Sequence, residues 1–170
     1  MNWLPFGKRN RSEATPQTTP QVTAPADSPT TTGSGKKILV VDDDAVIRKT
    51  TAAKLKSRGY QVITAEDAAE AVSAARQDKP DLILLDICFP PDVGVDWDGL
   101  KIMTWLQRVD EAKNIPIVVV SGSEPERYRE RCLATGAAAF FYKPVQYDEL
   151  LPFIAKILRG ETYQPAPVSA

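Results

Sequence analysis

Four places in this chain carry side chains suited to handling a phosphoryl group or a divalent cation, and each directly follows an apolar run. Asp42, Asp43 and Asp44 follow Ile38-Leu-Val-Val41, and Asp86 follows Leu82-Ile-Leu-Leu85. Ser121 follows Ile117-Val-Val-Val120, and Lys143 follows Ala139-Phe-Phe-Tyr142. A single Asp after such a run means little, because Asp often caps a following helix, and Asp44 is read in that way. Carboxylates crowded within a few ångströms repel each other, and one is driven to protonate unless a cation compensates. Oxygen-only ligands suit Mg²⁺, which keeps several waters and commonly sits between carboxylates and phosphate. Lys143 adds a point charge for phosphoryl oxygens, and the Ser121 hydroxyl adds a donor. This is equipment for phosphoryl transfer, where positioning and charge neutralisation do most of the work. The nucleophile would be a carboxylate facing the metal, and the product an acyl phosphate.

Composition removes several other chemistries. The sequence has no His, so imidazole metal sites and imidazole acid–base catalysis are excluded. Cys88 and Cys132 are far apart with no paired spacing, which reads as two reduced thiols in a cytoplasmic protein rather than a zinc or redox site. The net charge of -1 gives no basic field for nucleic acid. No apolar run nears the roughly 20 residues that span a bilayer. The first residues lack the order of a signal peptide, so no stable membrane insertion is expected.

The elements that must position these groups alternate in type. Continuous apolar runs near 38–41, 82–85, 117–120 and 139–142 read as strands covered on both faces, and Tyr60-Gln-Val-Ile-Thr64 as a further strand. Helical stretches lie between them. The first ends at Arg58-Gly59, and the second carries Ala68, Ala71, Val72 and Ala75 on one face. A third starts near Asp98, a fourth opens at Glu124-Pro125, and the last covers about 147 to 159 with Pro152 early in it as a mild distortion. Five strands alternating with five helices imply a single doubly wound α/β domain with a parallel sheet and right-handed crossovers. Ligands of such sheets bind beyond the carboxyl ends of the strands.

The motifs resemble those of the receiver domain of bacterial response regulators, over about residues 36 to 160. Val40-Val41-Asp42-Asp43 is similar to that family's acidic pair. Asp81-Leu-Ile-Leu-Leu-Asp86-Ile-Cys-Phe-Pro90 is similar to its phosphoacceptor motif, Val119-Val120-Ser121-Gly122 to its Ser/Thr strand end, and Phe140-Phe-Tyr-Lys143-Pro144 to its Lys-Pro motif. The resemblance implies the flavodoxin-like strand order 2-1-3-4-5. It implies that Asp86 takes a phosphoryl group from a phosphohistidine on a histidine kinase or phosphotransfer protein. Asp43, Asp86 and the backbone carbonyl of Cys88 would bind Mg²⁺ directly, and Asp42 largely through water. Ser121 and Lys143 would hold the phosphoryl oxygens, with Ser121 and Phe140 as a switch pair. Cys88 and Ser123 fall where side chains tune acyl-phosphate lifetime, and the Lys143–Pro144 bond is expected to be cis. By this resemblance the chain is a signalling domain without separate substrate turnover.

Two features depart from the family. About five extra residues, within Pro91-Asp-Val-Gly-Val-Asp-Trp97, lengthen the loop after Pro90; Asp92, Asp96 and Trp97 are candidates for adjusting the site. Beyond Arg159-Gly160 only a short tail, 161–170, remains, so no output domain is expected. Output would come through a protein target, or a dimer, on a face of the fourth helix, fifth strand and fifth helix with Tyr128, Tyr147 and Phe153. Residues 1–35 read as a disordered tether rich in Thr and Pro. Its outer end, Trp3, Leu4 and Phe6 beside Lys8, Arg9 and Arg11, is a candidate docking motif. Two rival readings stand: a haloacid-dehalogenase-type phosphatase with Asp42 as nucleophile, and an adaptor that is never phosphorylated.

Overall fold

A computed structural model of the chain describes residues 35–88, 99–122 and 126–161. The expected tail at 1–35, its Trp3, Leu4 and Phe6 segment, the 91–97 loop, Ser123 and the end at 162–170 lie outside the described residues, except for Gly35. Ten elements alternate: β1 (Lys37–Val41), α1 (Ala45–Lys56), β2 (Gln61–Ala65), α2 (Ala68–Asp78), β3 (Leu82–Asp86), α3 (Gly99–Leu106), β4 (Ile117–Ser121), α4 (Glu126–Ala134), β5 (Ala139–Tyr142) and α5 (Tyr147–Leu158). The strands form one parallel sheet in the order β2-β1-β3-β4-β5. The chain thus has the doubly wound, five-stranded α/β architecture that its sequence predicts.

Strand periodicity explains the apolar runs. Successive side chains point to opposite faces, so a strand covered on both sides must be apolar throughout. Leu39, Val41, Ile83, Leu85, Ile117 and Val119 join a core with Ala71, Ala75, Ile102, Met103 and Leu106 from α2 and α3. The alternate residues Ile38, Val40, Leu82, Leu84, Val118 and Val120 join a second core with Leu55 of α1 and Leu150, Phe153 and Ile154 of α5. Truncating one of these buried aliphatics to Ala costs about 2–5 kcal/mol through lost burial and the cavity left behind.

Some boundaries move from the sequence-based expectation. β2 is shifted one residue on, so that Tyr60 precedes it and its buried side chain joins the α1–α5 core. α4 is described from Glu126, and the expected opening at Glu124-Pro125 lies outside the described residues. Pro152 is carried inside α5 without breaking it, in the second turn. The Lys143–Pro144 peptide bond is cis.

Candidate functional site

Sheet register gathers the four chemical positions. Val41 pairs with Leu85, so Asp42 and Asp86 leave neighbouring strands at the same level. Asp86 in turn pairs with Val120, and Ser121 with Tyr142, so Ser121 and Lys143 follow one step further along the adjoining strands. The Lys143 backbone N–H donates to the Ser121 carbonyl at 2.7 Å, carrying the ladder past the end of β5.

The side chains converge accordingly. Lys143 Nζ donates to Asp86 Oδ2 at 2.6 Å and to Asp42 Oδ2 at 2.8 Å. The second oxygen of each acid is also engaged: Asp86 Oδ1 accepts from the Cys88 N–H at 2.9 Å, and Asp42 Oδ1 from the Asp44 N–H at 2.9 Å. Asp42 and Asp86 are 4% and 3% exposed and Ser121 is fully buried, whereas Asp43 is exposed. Asp44 caps α1, accepting from the Val46 and Ile47 N–H groups. Those two bonds hold its carboxyl below the usual carboxylate range.

Charge in this pocket is unbalanced in one direction. A single ammonium is shared by two buried carboxylates, which leaves a surplus negative charge. Burial pushes the Asp42 carboxyl above its ordinary value, Asp86 adds like-charge repulsion, and Lys143 offsets only part of this. Burial by itself would lower the Lys143 ammonium, but its bonds to Asp42 and Asp86 outweigh that and raise it. Lys143 therefore stays charged while Asp42 is the reluctant anion.

A divalent cation would remove the surplus, and the donors fit one. Asp42, Asp43 and Asp86 each place a carboxylate oxygen within 4.8 Å of the others. All three are hard oxygen ligands, the type that Mg²⁺ prefers, and Asp43 opens the cluster to solvent. The sequence-predicted residues Asp42, Asp43, Asp86, Ser121 and Lys143 thus stand together at the carboxyl ends of β1, β3, β4 and β5.

Others are placed as follows. Cys88 is half-buried, with its Sγ 3.1 Å from Ser121 Oγ, a contact that ties the loop after β3 to the end of β4. Phe140 is half-buried on the α2–α4 side of the sheet, with its ring edge-on to that of Tyr142 at 5.0 Å. The face expected to carry Tyr128, Tyr147 and Phe153 needs correction. Phe153 is 2% exposed and stacks edge-on with Phe141 in the core, because α5 turns its apolar stripe to the sheet. Tyr147 points to α1, where its hydroxyl is 2.9 Å from Thr51 Oγ1 and its ring lies under Lys54. Tyr128 is half-buried with Arg131 over its ring.

Sequence reasoning missed Arg48. Its guanidinium donates to the backbone carbonyls of Asp42 at 2.6 Å and Asp43 at 3.2 Å, and pairs with Glu66 at 3.1 Å, bracing the acidic turn from α1. The available signal was an Arg in the first turns of a helix capped by an acidic run, a common arrangement with little power to single it out.

Comparison with known proteins agrees with this geometry. The family model for the response regulator receiver domain matches residues 38–155. Protein PilH of Pseudomonas aeruginosa is 32% identical over 124 residues, covering 73% of this chain and 98% of PilH. The phosphate regulon transcriptional regulatory protein PhoB of Escherichia coli K12 is 35% identical over 124 residues, 73% of this chain. The chain spans about half of that regulator's length, 52%. Among solved structures, a CheY-like receiver domain protein from Methanospirillum hungatei superposes with a TM-score of 0.66 at 29% identity, covering 74% of this chain and 94% of that one. With the acidic cluster, the bridging lysine and the 2-1-3-4-5 sheet in place, the chain belongs to the response regulator receiver family.

Proposed function

We propose that residues 36–160 act as a phosphoryl-accepting receiver in a two-component phosphorelay, signalling by protein–protein contacts. Asp86 attacks the phosphorus of a phosphohistidine on a histidine kinase or phosphotransfer protein. The new bond joins a carboxylate oxygen to phosphorus, the nitrogen–phosphorus bond breaks, and the imidazole leaves with that electron pair. The observation that carries this reading is the pocket itself: a buried Asp86 whose Oδ2 lies 2.6 Å from the Lys143 ammonium, inside a cluster of three carboxylates.

Asp43, Asp86 and the Cys88 carbonyl would hold Mg²⁺, with Asp42 acting through water. When bound, the ion supplies charge neutralisation for the phosphoryl oxygens. Lys143 Nζ, already directed at Asp86, pairs with one phosphoryl oxygen. Ser121 donates to another, exchanging its contact with Cys88 for that bond, and Phe140 responds to the Ser121 shift as the switch aromatic. Cys88 and Ser123 set how readily water reaches the acyl phosphate. The cytoplasm, a reducing compartment, suits the two free thiols.

The test is incubation of the full chain with acetyl phosphate and Mg²⁺, followed by intact mass. The expected result is a gain of one phosphoryl group in the natural sequence and none in Asp86→Asn. A gain that persists in Asp86→Asn but disappears in Asp42→Asn would instead mark the haloacid-dehalogenase-type chemistry. No gain in any form would mark an unphosphorylated adaptor.

A further inference from the structure

The three backbone carbonyls of the acidic run all accept from one residue, Arg48, one turn into α1. Arg48 Nη1 donates to the Asp42 carbonyl at 2.6 Å and to the Asp43 carbonyl at 3.2 Å. The Arg48 backbone N–H donates to the Asp44 carbonyl at 2.9 Å. Along a strand, successive side chains point to opposite faces. Were β1 to run on through Asp43, that carboxylate would turn away from the cluster that Asp42 joins. The convergence of two neighbouring carbonyls on one nitrogen marks where the extended backbone stops. Beyond that point Asp42 and Asp43 can share one side, and both carboxylates come within 4.8 Å of Asp86.

The guanidinium is itself held. Arg48 Nη2 donates to Glu66 Oε2 at 3.1 Å, and the Arg48 side chain is 14% exposed against 61% for Glu66. Glu66 follows Ala65, whose carbonyl accepts from the Asp42 N–H at 3.2 Å. The Glu66 N–H donates in turn to Glu70 Oε2 in the first turn of α2, at 3.0 Å. Arg48 thus ties the acidic turn to the turn between β2 and α2. A planar fork that spans two carbonyls and a carboxylate has no equivalent in the compact ammonium of a lysine.

We propose that Arg48 is a positioning residue for the divalent cation, setting the Asp43 carboxylate beside Asp42 and Asp86 through its hold on the Asp42 and Asp43 carbonyls. The role rests on the reading of these three acids as a Mg²⁺ site. Charge and positioning have opposite consequences here. A guanidinium near the acids repels a second cation, so by charge alone its removal would tighten Mg²⁺ binding. By positioning, its removal loosens binding, since groups that orient metal ligands commonly account for about ten- to hundredfold in affinity.

The test titrates Mg²⁺ into the full, isotope-labelled chain and follows the amide resonances of residues 42–44 and 86–88. The natural sequence is compared with Arg48→Met, Arg48→Lys and Glu66→Gln, with circular dichroism as the check on folding. Both Arg48 variants should bind Mg²⁺ roughly tenfold or more weakly, and Glu66→Gln about threefold more weakly. In the acetyl phosphate reaction the Mg²⁺ concentration giving half-maximal rate should rise by the same factors, while the rate at saturating Mg²⁺ stays within about twofold. Affinity equal to that of the natural chain, or tighter, in either Arg48 variant overturns the proposal. Should the Arg48 variants unfold, unchanged affinity in Glu66→Gln overturns it. A natural chain that binds no Mg²⁺ at these residues overturns the metal site together with the role. Mg²⁺ binding that the variants keep overturns the role of Arg48 alone.

Discussion

The sheet carries a Lys–Asp bridge at each of its ends, and the two differ in almost every physical respect. At the amino ends, Asp81 accepts from Lys36 Nζ and from the Lys37 backbone N–H, each at 2.8 Å, pinning the start of β1 to the start of β3. That pair is open to water, with side chains 47% and 32% exposed. At the carboxyl ends Lys143 joins two acids that are nearly sealed from solvent. The first bridge has one cation for one anion and its charges balance. The second has one cation for two anions and they do not. Identical residue types make a balanced clasp in one place and a pocket with surplus negative charge in the other, and burial together with stoichiometry decides which.

Substitutions at the two ends should separate these roles. Asp86→Asn abolishes phosphoryl uptake from acetyl phosphate, whereas Asp81→Asn leaves it within about twofold, read by intact mass over time; equal loss in both would mean that the two bridges are not functionally distinct. Lys143→Met strands two buried carboxylates and should cost roughly 3 kcal/mol in urea unfolding without Mg²⁺. Lys36→Met should cost less than about 1 kcal/mol, because water and salt already screen that pair.

The pH dependence should have opposite signs at the two ends. Burial would raise the Asp81 carboxyl, but Lys36 and the Lys37 N–H outweigh it and hold it below the ordinary value. Its stabilisation is therefore complete above the unfolded value and fades as pH falls through the lowered one. Asp42 is held above the ordinary value, so its contribution is present in acid and lost as pH rises through the raised value. Unfolding measured across the acid range without Mg²⁺ should show Asp81→Asn losing stability relative to the natural chain at neutral pH. Asp42→Asn should hold or gain stability there. The smallest effect is expected from Cys88→Ala, which removes the Sγ contact of a buried Ser121 hydroxyl; about 1 kcal/mol or less of stability and a few-fold change in phosphoryl half-life should follow.

Much of this molecule could be read before any coordinates. Uninterrupted apolar runs such as Leu82–Leu85 admit little besides a strand buried on both faces, and polar residues placed right after four of them mark the edge where ligands gather. Lys143 was legible as a charge for phosphate but not as the bridge between Asp42 and Asp86, because that geometry depends on register across three strand pairs. Arg48, the Cys88–Ser121 contact and the hydrogen bond from Gln107 to the Thr135 carbonyl share this character: each joins a side chain to a group fixed by packing, and sequence spacing carries no trace of it. The expected place of Phe153 on an output face, taken from the family resemblance, failed for a related reason: the rotation of α5 about its own axis decides which of its residues the sheet covers, and Phe153 is one of them.

The reach of Lys143 has a consequence in time as well as in space. Its partners lie 101 and 57 residues earlier in the chain. A ribosome that has delivered β1, β3 and β4 has already released every carboxylate of the cluster, yet the cation that makes their closeness tolerable is still to be made. The cluster can therefore be balanced from within the chain only after β5 has been made, and charge balance at the carboxyl edge of the sheet is among the last things that translation supplies.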